Sequence, residues 1–148
     1  MRPTTPLLAA AALVAAGAAM PATAAPPKKP ITKTYTATAG TPDPTNYTET
    51  SYSVCAQTVP GSFHTETFKA PAPGKLSIKM NGFVGDWDLL LLDGKGAEIA
   101  NSGGQQPVDP AEEQLAAKVK KAGTTYKIIA CNWAGGPTAT VTYTFTYL

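Results

Sequence analysis

Along most of this chain, apolar and polar residues alternate with a period of two. Leu76, Ile78 and Met80 share one side of a stretch whose other side carries Ser77 and Lys79. Val141, Tyr143, Phe145 and Tyr147 alternate with Thr140, Thr142, Thr144 and Thr146. Successive side chains of a strand point to opposite faces, so this pattern predicts half-buried β-strands. Candidate strands cover residues 34–39, 51–58, 63–69, 75–81, 87–93, 98–101, 114–119, 126–132 and 139–147. Between them lie breaks such as Ala70-Pro71-Ala72-Pro73-Gly74 and Gly135-Gly136-Pro137, with the Pro and Gly that turns need and strands reject. Residues 110–121 leave two readings open. Their Ala, Glu, Gln and Lys suit a helix, whereas Leu115, Ala117 and Val119 alternate as in a strand.

Two stretches are apolar on both sides. Leu89-Leu90-Leu91-Leu92 is entered through Gly85-Asp86-Trp87-Asp88 and left through Asp93-Gly94-Lys95-Gly96, which reads as a hairpin corner. Ile128-Ile129-Ala130-Cys131 has the same character. Such runs predict central strands covered on both faces. With the last strand they are expected to carry most of the core, each fully buried Leu or Ile contributing about 1.5–3 kcal/mol before entropy is counted. Eight or nine short strands with frequent turns predict an all-β, antiparallel sandwich.

The first residues fall outside this pattern. Arg2 precedes an apolar stretch over residues 7–20, and Ala22-Thr23-Ala24 has the form of a signal-peptidase site. Residues 1–24 are therefore expected to be a cleaved signal peptide, and the protein to be secreted and extracellular. The apolar stretch is too short to be read as a spanning helix. Residues 25–33 form a Pro- and Lys-rich leader, and residues 34–148 a single domain.

The net charge of +2 offers no basic patch, and every basic residue after Arg2 is Lys, so nucleic acid is not an expected partner. Cys55 and Cys131 are the two cysteines. In an oxidising compartment an even count favours a disulfide; the alternative is two free buried thiols.

Several segments together resemble the bacterial pre-peptidase C-terminal domain family. They are residues 68–78, with a Pro-Gly corner; Gly85-Asp86-Trp87-Asp88-Leu89-Leu90-Leu91; Asp93-Gly94-Lys95-Gly96; and Ala122-Gly123-Thr124-Thr125-Tyr126-Lys127-Ile128. The resemblance covers residues 63–148. It departs at Leu90, where the family often has Tyr, and no peptidase domain accompanies the copy in this chain. The resemblance implies a secreted, jelly-roll-like accessory sandwich without catalytic activity. It would bind an extracellular polysaccharide or protein, or assist a separately encoded exported hydrolase as a structural or chaperone-like accessory. A small secreted hydrolase is the remaining alternative.

Asp86 and Asp88, two apart on a strand, should share a side, with Trp87 opposite. They read either as turn caps accepting backbone N–H groups or as calcium ligands. The resemblance raises the calcium option, in which Asp43, Glu49, Asn81 or backbone carbonyls would complete about six oxygens. Trp87 and Trp133 are candidate ligand-binding aromatics, against the plainer reading of Trp133 as a rim residue. Tyr35, Tyr47 and Tyr52 are candidate additions to such a face. His64 is the single histidine; it has Ser62 nearby but no Gly-x-Ser-x-Gly elbow, which argues against a serine hydrolase. Asn46-Tyr47-Thr48 fits a glycosylation sequon.

Overall fold

The computed structural model describes residues 26–41, 55, 59, 61–103 and 112–148. Eight strands follow one another among these residues: β1 (Ile31–Thr38), β2 (Phe63–Lys69), β3 (Gly74–Asn81), β4 (Gly85–Asp93), β5 (Glu98–Ser102), β6 (Glu112–Val119), β7 (Thr125–Gly135) and β8 (Thr138–Tyr147). They form two four-stranded antiparallel sheets. The first has the order β1-β8-β3-β6 and the second β2-β7-β4-β5. Each sheet interleaves early and late strands, the arrangement of an eight-stranded jelly roll.

Side-chain alternation decides which faces meet. Leu76, Ile78, Met80, Val141 and Phe145 point inward from the first sheet, and Trp87, Leu89, Leu91 and Ile128 from the second. All of these are at most 2% exposed and together fill the space between the sheets. Leu90, Leu92 and Ile129 point the other way, yet they too are buried, in a smaller cluster with Cys55 and Cys131. The four-leucine run is thus covered on both faces, and β4 lies inside its sheet, as its composition predicts.

Residues 112–119, ambiguous in sequence, form β6 as a strand, with Glu113, Leu115, Ala117 and Val119 inward. The alternation outweighs local helix propensity because β3 supplies a full ladder of partners, from Gly74↔Val119 to Asn81↔Glu112. β1 begins at Ile31, three residues before the expected start, because Ile31 to Lys33 continue its ladder along Phe145 to Tyr143 of β8. The signal segment, Asp43, the sequon at Asn46, Tyr47, Glu49 and Tyr52 lie outside the described residues. So does the strand expected over 51–58, except Cys55, which occupies a bend.

Two edges are closed differently. On one side the edge strands β1 and β2 face each other across the sandwich. Lys33 pairs with Tyr143 and Glu66 with Ile128, so both point inward, and they form a 2.8 Å ion pair between the sheets. The hydrogen bond to Glu66 holds the Lys33 ammonium above its usual range, against the opposing effect of burial. Inward-pointing charges on edge strands also discourage pairing with another molecule's strand. On the other side, the Ser102 hydroxyl of β5 hydrogen-bonds the Glu113 carboxylate of β6.

Candidate functional site

The entry of β4 carries the residues singled out in sequence. Gly85 pairs with Gly135, Asp86 with Ala134, Trp87 with Asn132 and Asp88 with Cys131. The register skips one residue of β7, leaving Trp133 as the extra residue of a β-bulge. Gly85 and Gly135 both have positive φ, at 95° and 121°, in a region disfavoured for other residues. A Cβ on Gly85 would collide with the Ala134 carbonyl, and one on Gly135 with that of Val84. Only glycine lets the two backbones approach this closely.

Trp87 is 0% exposed and packs near Phe83, ring centroids 6.5 Å apart. Its Nε1 donates to the Gly136 carbonyl at 3.1 Å. The ring is therefore a core element and presents no face to a ligand. Asn132, which nothing in the alternation singles out, is 1% exposed and donates from Nδ2 to the carbonyls of Ala39, at 2.9 Å, and Gly136, at 3.1 Å. Trp87 and Asn132 thus share one acceptor and fasten the β7–β8 turn to the end of β1. Trp133 is half-buried at the bulge.

Asp88 is buried, on the face it shares with Cys131 and Leu90. Asp86 is half-buried, and its Oδ1 has no hydrogen-bond partner. Desolvation, followed by the negative charge of Glu113, pushes its carboxyl above the usual carboxylate range. Asn81 ends β3 in the opposite sheet, beside Glu112 and Thr140. Among the described residues, no three His, Cys, Asp or Glu side chains gather as a metal-binding group.

Asp93 plays a turn-capping role. Its Oδ1 accepts from the backbone N–H groups of Lys95, at 2.8 Å, and Ala97, at 2.9 Å. These bonds hold its carboxyl below the usual range. Ser62 donates its hydroxyl to the Val59 carbonyl at 2.8 Å, while the His64 ring stacks on Tyr35 with centroids 5.5 Å apart. Both belong to local packing, and burial pushes the Tyr35 phenol upward.

The two outer faces of the sandwich contrast. That of the second sheet is apolar at Leu90, Leu92 and Ile129, and Cys55 covers it through the disulfide to Cys131, with 5.6 Å between the Cα atoms. That of the first sheet is polar and open. Thr32, Thr34, Thr36 and Thr38 of β1 stand opposite Thr144, Thr142, Thr140 and Thr138 of β8. Two of these rows are joined by hydroxyl hydrogen bonds, of 3.2 Å for Thr32–Thr144 and 2.9 Å for Thr34–Thr142. β3 continues the rows with Lys75, Ser77 and Lys79, and β6 with Lys118, Ala116 and Gln114. A trough of about 570 Å³ runs over these strands, lined by Ser77, Lys79, Gln114, Thr142 and Thr144 among others. Its sequence signal is the threonine at every second position of β1 and β8, which sequence reading takes only as the solvent side of a strand.

No family profile matches the chain, and comparison with curated proteins finds no relative. Among the described residues, no helix is long and apolar enough to cross a membrane.

Proposed function

We propose that this chain is a secreted, non-catalytic binding module that attaches to an extracellular polymer or protein. The observation that carries this reading is the contrast between the two outer faces. One carries a buried apolar patch, Leu90, Leu92 and Ile129, packed with the Cys55–Cys131 disulfide, and the other is an open sheet of hydroxyl, amide and ammonium groups. A regular sheet held at both edges supplies a surface whose groups are already ordered, which lowers the entropy cost of binding an extended ligand. The resemblance to pre-peptidase C-terminal domains supports the same reading, since these accompany extracellular enzymes without performing the chemistry.

The direct test is sedimentation of the purified protein with insoluble polysaccharides and with collagen fibres. Retention by at least one matrix, saturable and competed by its soluble fragments, is the expected outcome. Turnover in a panel of hydrolase assays, abolished by His64→Ala, would overturn the non-catalytic reading.

A further inference from the structure

We propose that the outer face of the first sheet is the binding surface and that its ligand is an acidic polysaccharide, a chain of sugars bearing carboxylates. This rests on the reading of the protein as a polymer-binding module and names its surface and ligand class.

The argument begins with two lysines. Lys75 of β3 and Lys118 of β6 are directly opposite in the ladder, and both are exposed. Side chains directly opposite on one face of an antiparallel pair have Cβ atoms about 4.5–5.5 Å apart, and like charges there destabilise the sheet. Neighbouring Lys79 is neutralised by an ion pair with Glu112. Among the described residues, neither Lys75 nor Lys118 has a carboxylate in an ion pair. The sheet therefore holds two uncompensated ammonium groups side by side, an arrangement that an anion seated between them relieves.

The surroundings specify the rest of the ligand. Ser77, Gln114, Thr142 and Thr144 line the adjoining trough with groups that both donate and accept hydrogen bonds. These suit the hydroxyls of a sugar ring. The outward positions of β1, β8, β3 and β6 include no aromatic residue, so the ring stacking common to neutral-sugar recognition has no platform here. The same absence, with no arginine on the face, disfavours single-stranded nucleic acid. An extended peptide would call for pockets to receive alternate side chains, whereas this trough opens over the outward Ser, Thr, Lys and Gln of the strands. Ammonium groups act as point charges, sufficient for carboxylates spaced along a flexible polymer.

The test is affinity electrophoresis and calorimetry of the purified full chain with polygalacturonate as the probe, with dextran as the neutral control. Polygalacturonate should bind, dextran should not, and affinity should fall as sodium chloride is raised. The double variant Lys75→Glu/Lys118→Glu should weaken binding at least tenfold, whereas Lys95→Glu, at the β4–β5 turn of the other sheet, should leave it unchanged. Lys75→Gln supplies a signature that a structural role would not: it should weaken binding while raising the melting temperature of the free protein, because it removes the like-charge pair. Polygalacturonate binding that is indifferent to the two lysines overturns the inference. So does retention on dextran or collagen without polygalacturonate binding, a result that leaves the broader polymer-binding reading standing. Failure to bind any matrix overturns both.

Discussion

Two residues at the entry of β4 show how single positions balance burial against chemistry. Asp86 is half-buried near the charge of Glu113, and its carboxyl is held above the usual range. Its neutral form is therefore favoured by folding, so stability declines as pH rises from the ordinary carboxylate range through the raised folded value. Asp86→Asn should raise the melting temperature at neutral pH. The gain should fade when the melts are repeated at a pH below the ordinary carboxylate range. An unchanged difference at both pH values would contradict a charge-based penalty. Gly85 illustrates the opposite constraint, one of shape. Gly85→Ala places a Cβ against the Ala134 carbonyl at positive φ, and should cost about 3 kcal/mol in chemical denaturation.

At the scale of elements, β4 and β8 make a sharp comparison. Leu91 is fully buried between the sheets, whereas Thr142 lies on the open face. Leu91→Asp should cost more than about 4 kcal/mol and unfold the domain. Thr142→Lys loses a hydrogen bond to Thr34 on an exposed surface and should cost about 1 kcal/mol or less. Comparable melting temperatures for the two variants would contradict the core assignment. Elements of this kind are legible from sequence because burial imposes a period. The leucine run, the Asp93 hairpin and the threonine strand could all be located within a residue or two. β6 could not be separated from a helix, because Glu, Gln, Leu, Ala and Lys, which make up all of it but Val119, are good helix formers; only the ladder with β3 decides it. The candidate site was less legible. Trp87 looks the same in sequence whether it faces a ligand or the core, and its burial follows from a pairing with Asn132 that lies far along the chain. The threonine face was visible as a period, but its meeting of β1 with β8 depends on topology that no local pattern encodes.

At the scale of the whole molecule, the disulfide joins residues 76 apart and packs against Leu90, Leu92 and Ile129 on the outer face of the second sheet. Cys55→Ser/Cys131→Ser should lower stability by about 4 kcal/mol by the loop-entropy model, read as a shift of the denaturation midpoint. A shift confined to a few tenths of a kcal/mol would contradict the loop-entropy account of the bond. The jelly-roll order has a further consequence. The residues of the Thr32–Thr144 row lie 112 apart in sequence, so the first strand of the sheet can be seated only after the last has been made. Most of the ladders join distant parts of the chain, a topology associated with folding in milliseconds to seconds rather than microseconds. Until β8 is in place, β1 has no partner strand in its sheet. The order of assembly, more than the final contacts, then governs how long that strand stays vulnerable to proteases and to other chains.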